Sequence, residues 1–466
     1  MKTQTLTATF LMLAASNMIS FGQTSFLEKS VSNDGPPASN CISETEYKAL
    51  EERCVHTIKA LGLPLSNAKS IQTTSLAWPL RAAAGLNDCS FYAINAYVDH
   101  DATTGLSDWN CGTNTYDGHR GTDIGIAPYS FLKMDNNLVE VIAAAAGTII
   151  DRADGNFDKN CASNTLTANS ISLQHADGSV THYWHMKKNS VTSKQVGESV
   201  AVGEYLGVVG SSGSSSGPHL HFEVWAGSTN TTRQDPYSGS CNLLNSNSWW
   251  ASQKPYREPN ISKASVNITD VVVPGCPNTE TSNEDSVFSI PFQGPGLAPG
   301  YAKFYVFYRN ETSGMIATMN ILNPDNTVFN SWTRTSTTNY NNSYYGFSKV
   351  LPTLPGLYTF KAEYNGLFCE QQFTITTPVG INSLSSNSNF TIYPNPGNGR
   401  FTLNVSDKYL TGDTRLEIRN ILGEIVFSKT ITKAENSISI EPKAGIYFTY
   451  LINQGQILGT QKLIVN

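Results

Sequence analysis

Charge is scarce in this chain: 15% of its 466 residues are Asp, Glu, Lys or Arg, and the formal net charge is -6. That balance supplies no basic field for a nucleic acid. Beyond the first 22 residues no stretch carries about 18 unbroken apolar residues, which excludes a membrane-spanning helix. None of the eight cysteines stands in a Cys-x-x-Cys pair, which argues against a sulfur-built metal site. Disorder is excluded as well, because 39% of the residues are apolar and aromatics are plentiful.

At this length about three domains are expected. Abundant Asn, Ser, Thr, Gly and Tyr suit a strand-rich extracellular protein with polar loops. Met1-Lys2 and the apolar core from Leu6 to Phe21 read as a secretory signal peptide over residues 1–22. All eight cysteines follow it, an even set in an oxidising compartment, which favours disulfides. Nearness in sequence suggests Cys41 with Cys54 and Cys89 with Cys111. Cys276 and Cys369 bracket a later strand-rich region, leaving Cys161 for Cys241.

Residues 23–71 hold one helical run, Ser43 to His56, with Ser43 and Glu46 at capping-box spacing and Leu61-Gly62-Leu63-Pro64 to end it. They read as a short pro-segment or an N-terminal brace. Residues 72–262 turn to short strands separated by Gly, Asn and Asp. The clearest hairpin joins Ser170–His175 to Val180–Met186 through Asp177-Gly178, a pair that suits a type I′ turn. On its second strand His182 and His185 fall on opposite faces, so both can serve one site only if the strand breaks. The oxygen-rich loop 151–160 lacks EF-hand spacing and reads as a polar turn rather than a calcium site. Residues 265–378 suit an immunoglobulin-like β-sandwich by length and strand spacing, with binding or spacing as its task. A Ser- and Asn-rich linker, 379–389, precedes the last segment, 390–466.

Gly217-Pro218-His219-Leu220-His221-Phe222-Glu223-Val224-Trp225 alternates polar and apolar residues, as a half-buried strand does. It sets His219, His221 and Glu223 on one face, and two such imidazoles can meet one metal ion or one substrate. Spacing alone leaves open which of the two is the ligand. Glu223 reads as a base, an orienting group for His221, or an exposed strand carboxylate. Upstream, His119-Arg120-Gly121-Thr122-Asp123 places an imidazole and a carboxylate about 13 Å apart on a regular strand, unless Gly121 bends the chain. His175 and His182 read as structural or exposed, and His56 and His100 carry no partner signal.

Taken together, His119-x-Gly121-x-Asp123, Tyr183-x-His185 and His219-x-His221 resemble the lysostaphin and LytM family of zinc metallopeptidases over roughly residues 78 to 228. The resemblance implies a β-rich LytM-like catalytic domain with His119, Asp123 and His221 as ligands of one zinc ion. It makes His185 and His219 catalytic residues that do not bind the metal. The last segment, with Tyr393-Pro394-Asn395-Pro396, Gly445-Ile446-Tyr447-Phe448 and Lys462-Leu463-Ile464-Val465, resembles the type A sorting domain of type IX secretion, a small β-sandwich. The expectation is a mainly β, secreted or cell-surface zinc metalloendopeptidase that cuts peptidoglycan cross-bridges and is handled by the type IX secretion machinery. Proteolysis of Gly-rich proteins such as elastin is one alternative. The other is a catalytically inactive LytM-type binding and activator protein.

Overall fold

The computed structural model describes residues 42–66, 74–377, 389–410, 412–441 and 444–466. The expected leader 1–22 and linker positions 379–388 lie outside them. The chain divides into two units, Met1–Thr376 and Thr377–Asn466.

At the centre of the first unit runs the strand His219–Trp225, all seven residues of which are buried. It pairs antiparallel with Thr122–Ile126 on one side and Val180–Trp184 on the other. The sheet extends to Tyr92–Ala96 past the first neighbour and through Ser170–Gln174 and Gly147–Ala153 to Ser199–Val200 past the second. Leu220, Phe222 and Val224 enter a core shared with Ile124, Ile171, Leu173 and Tyr183. The same core takes residues of a three-stranded sheet formed by Leu80–Ala82, Val139–Ile142 and Tyr205–Val208. The polar face is covered too, so a strand with a half-buried pattern is buried throughout.

Part of that cover is the helix α1, Glu44–Ala60. Ser43 Oγ accepts the Glu46 N–H at 3.2 Å, and Gly62, at φ 67°, stops the helix where an L side chain would be strained. Tyr47, Leu50, Cys54 and Ile58 recur at helical spacing and pack on Ile150, Val180, Trp184 and Trp225. The hairpin forms with Gln174 opposite Val180, but of its turn pair only Gly178 has a positive φ, 82°. A type I′ turn needs both, so the strands are joined by the longer loop His175–Ser179.

The sandwich that follows has two sheets. Asn260–Asn267, Tyr301–Glu311 and Tyr340–Val350 make one; Val287–Ser289, Leu367–Thr376, Gly356–Tyr364, Ile316–Leu322 and Val328–Thr335 make the other. Phe304, Val306, Phe360 and Phe373 fill the space between them. Two disulfides tie the sandwich to the preceding sheet, Cys89–Cys369 and Cys161–Cys276, and Cys111–Cys241 closes a third loop. These pairs replace the expected Cys89–Cys111, Cys276–Cys369 and Cys161–Cys241. Closure entropy grows only slowly with loop length, so nearness in sequence is a weak guide to partners. Cys54 is a buried free thiol, and Cys41 lies outside the described residues. Asp88 adds ion pairs to Lys133 at 2.6 Å and Lys263 at 2.8 Å, and Arg309 Nη1 donates to Ser90 Oγ at 2.9 Å.

The second unit is itself a pair of sheets. One holds Phe390–Tyr393, Arg400–Val405 and Glu435–Ser439; the other holds Ile425–Thr430, Thr414–Arg419, Gly445–Asn453 and Gln456–Val465. Leu403, Leu416, Leu451 and Leu463 lie in its core.

Peptide mapping under non-reducing conditions should recover the fragment pairs 89/369, 161/276 and 111/241. The double variant Cys89→Ser/Cys369→Ser should lose ~3–5 kcal/mol of stability, read as a lower Tm, because that bond closes the longest of the three loops.

Candidate metal centre

Sheet register does much of the assembly. His221 stands directly opposite Asp123, and His219 opposite Gly125. His221 Nδ1 comes within 2.9 Å of Asp123 Oδ1. His119 arrives from a turn just before the strand: its N–H donates to Tyr116 O at 3.0 Å, and its carbonyl accepts the Asp99 N–H at 2.8 Å. Its Nδ1 lies 2.6 Å from Tyr97 O, and since a carbonyl only accepts, Nδ1 carries the proton. His119 Nε2 therefore turns its lone pair to the cluster, 3.2 Å from Asp123 Oδ1 and 3.2 Å from His221 Nδ1.

Gly121 serves this assembly in a way the bend argument did not foresee. It is absent from the positive-φ glycines, and its role is space: a Cβ there would lie 2.6 Å from His221 Nε2 and 2.8 Å from Phe222 O. Only a residue without a side chain lets the imidazole sit against the backbone.

His119, Asp123 and His221 are 1%, 4% and 0% exposed. Among the described residues theirs is the group of His, Cys, Asp and Glu side chains whose atoms converge closely enough to hold a metal ion. Donors with bonds of ~2.0–2.2 Å in tetrahedral array sit about 3.4 Å apart, close to the separations found. The donor set therefore fits a metal ion. Burial pushes the Asp123 carboxyl up, but the imidazoles of His119, His219 and His221 around it outweigh burial and hold the group well below the carboxylate range.

His185 reaches the same place by breaking its strand, which ends at Trp184. Alternation would send His185 into the core after Tyr183. With φ at 67° it turns back instead, and its ring centre lies 4.6 Å from that of His219 and 6.0 Å from that of His221. His185 Nδ1 donates to Ser212 O at 2.7 Å and His219 Nδ1 to Gly217 O at 2.8 Å. The Nε2 atom of each is buried with no hydrogen-bond partner among the described residues. His219 Nε2 is 3.6 Å from Asp123 Oδ1. Burial, with the neighbouring His219 and His221, holds His185 well below the usual imidazole value; burial also lowers His219, against the pull of Asp123. Both rings are neutral at pH 7, with a lone pair at Nε2.

Glu223 is neither exposed nor open to the cluster. Its Oε1 accepts Trp225 Nε1–H at 2.9 Å, its Oε2 accepts the Tyr47 hydroxyl at 2.9 Å, and Oε2 stands 3.6 Å from His221 Nε2. It sits behind His221, on the ring edge away from Asp123. Tyr47, in α1, had no sequence signal linking it to this carboxylate.

Three of the remaining histidines are buried, and His56 is exposed on α1. His182 is fully buried between Trp184 and Trp225 and bonds Ser172 Oγ at 2.8 Å. His175 bonds Ala146 O and Thr181 Oγ1. His100 has a buried partner the sequence did not reveal, Asp235 at 2.9 Å. In the 151–160 loop, Asp154 and Asp158 accept the Asn189 and Lys188 N–H groups at 2.8 and 2.7 Å, and Asp151 binds Arg53.

Residues 117–236 match Peptidase family M23, and residues 391–466 match a secretion system C-terminal sorting domain. The chain thus carries an M23 peptidase domain of the LytM type and a C-terminal sorting domain. An uncharacterized metalloprotease of Buchnera aphidicola is 42% identical over 57 residues, 12% of this chain and 14% of the relative. The peptidoglycan DD-endopeptidase ShyC of Vibrio cholerae is 29% identical over 111 residues, 24% of this chain and 21% of the relative. The chain thus spans well under two thirds of the length of these relatives. The catalytic domain of lysostaphin from Staphylococcus simulans is similar at 25% identity and a TM-score of 0.20, over 30% of this chain and 85% of that one.

Burial, against the pull of Glu223, lowers His182 to about 3, and burial lowers His175 as well. Folded, these rings decline protons that the unfolded chain accepts below ~6.5. Stability is therefore full above that value and falls as the pH drops below it, for His182 by about 1.4 kcal/mol per pH unit down to about 3, with His175 adding in the same direction. Urea unfolding midpoints at pH 8, 6 and 4.5 should descend in that order.

Proposed function

We propose that the chain is an exported zinc metalloendopeptidase acting on peptidoglycan cross-bridges. In this reading His119, Asp123 and His221 hold the zinc, and His185 and His219 are the catalytic residues. The observation that carries it is the convergence of His119 Nε2, Asp123 Oδ1 and His221 Nδ1 in a buried cluster beside two imidazole nitrogens with no hydrogen-bond partner among the described residues. Three protein ligands leave a fourth position open, the arrangement of catalytic zinc. Bound there, zinc supplies Lewis acidity toward a carbonyl and lowers the pKa of water to ~7.

The chain's own residues supply the rest. A neutral imidazole with its lone pair at Nε2 accepts the proton of an attacking water and returns it to the leaving amine. The carbonyl bonded to Nδ1 steadies the charged ring between those steps, at Ser212 for His185 and Gly217 for His219. Glu223 keeps the His221 ring from rotating away from Asp123. The similarity to a peptidoglycan DD-endopeptidase supports the substrate class, and the sorting domain supports export through type IX secretion. Residues 1–22 serve as leader, 23–71 as an N-terminal brace, 72–262 as the catalytic domain and 265–378 as the accessory sandwich.

The full chain should clear suspensions of purified sacculi, and a chelator should abolish clearing that zinc then restores. His185→Ala should keep its metal and lose ~10²–10⁴ in kcat. Gly121→Ala, which pushes on His221, should weaken metal binding ~10–100-fold. Clearing that survives chelation, or full turnover in His185→Ala, contradicts the proposal; a zinc-bound chain that clears nothing favours the binding and activator reading.

A further inference from the structure

Beside His219 the sheet surface opens into a cavity of about 130 Å³, room for roughly ten waters. One wall belongs to the catalytic sheet. Gly125, paired with His219, lacks a side chain, and the Asn95 amide lies across it, 2.5 Å from where a Cβ would stand. The opposite wall belongs to the sandwich. Alternation along Tyr301–Glu311 and Tyr340–Val350 sends Phe304, Val306 and Tyr308 into the sandwich core and turns Phe307 outward; Tyr344 is paired with Phe307, and Asn342 with Arg309. Phe307, Asn342 and Tyr344 all line the cavity.

This second wall is fixed in place. Two disulfides, the Asp88 ion pairs and the Arg309–Ser90 bond join the sandwich to the catalytic sheet around it. Tyr129 packs edge-on against Phe307, with ring centres 5.2 Å apart. A wall held so firmly preorganises a cleft at little entropic cost to a ligand.

Its chemistry is selective. Among the described residues no Lys, Arg or Asp lines the cavity. The one carboxylate there, Glu280, is occupied by the Phe131 and Leu132 N–H groups and the Ser130 hydroxyl. Asn95 and Ser262 are among the uncharged polar residues that line it, and Asn95 Oδ1 and Ser262 Oγ are buried with no hydrogen-bond partner among the described residues. A carboxylate entering this space would lose water and meet no lining cation, whereas an uncharged peptide group gives up far less on leaving water.

We propose that the sandwich forms the far wall of a substrate subsite that receives an uncharged peptide stretch flanking the scissile bond and rejects acidic residues there. The proposal rests on the peptidase reading for the identity of its ligand. Calorimetry on the metal-stripped full chain tests it apart from turnover, with acetyl-Ala-Gly-Ala-Gly-Ala-Gly-amide and the same peptide carrying Asp in place of each Ala. The neutral peptide should bind at least ~10-fold more tightly. Tyr344→Ala should weaken it ~10-fold, and Asn342→Lys should raise affinity for the Asp peptide, a gain that misfolding cannot produce. Equal binding of both peptides to the wild-type chain, or an unchanged preference in Asn342→Lys, overturns the subsite. Selective binding by a zinc-loaded chain that cuts no peptide would instead leave the subsite standing and remove the peptidase reading.

Discussion

Three lone pairs pointed at one another inside a protein are an expensive arrangement, and the first unit is built to hold them there. His119 Nε2, Asp123 Oδ1 and His221 Nδ1 lie within 2.9–3.2 Å of each other, away from water. Without a cation, only shared protons relieve the repulsion; with one, each lone pair becomes a bond. Each support has a structural source. Antiparallel register sets Asp123 against His221, the Tyr97 carbonyl fixes the His119 tautomer, Gly121 clears the space behind His221, and Glu223 braces its far edge.

The helix α1 and the sandwich work on the same cluster from outside. Through Tyr47 the helix reaches Glu223, so the brace is continuous with the second layer of the metal centre. The sandwich is clamped by disulfides that join residues 280 and 115 positions apart, and its outer face borders the space next to His219. Sheet and sandwich thus line one cavity together.

Much of this was legible because it lies in local pattern. Alternation in His219–Trp225 marks the strand and its polar face, Ser43 and Glu46 mark the helix start, and the turn-separated strands mark the β architecture. The motif resemblance separated His221 from His219, which spacing alone could not do, and the two rings do take different positions. What stayed hidden depends on contacts between remote residues. His185 turns inward through a positive φ that no neighbouring residue dictates, Cys89 and Cys161 pair with cysteines of the sandwich while Cys111 pairs with the remote Cys241, and Glu223 is buried because a helix more than 160 residues away covers it.

The ligand set itself is open to one direct measurement, zinc K-edge X-ray absorption on the loaded full chain. A four-coordinate ion with two imidazoles, further nitrogen or oxygen donors at ~2.0–2.1 Å and no sulfur is the predicted spectrum. A Zn–S distance near 2.3 Å, or more than two imidazoles, would contradict the assignment by bringing in a cysteine, or His185 or His219, as a ligand.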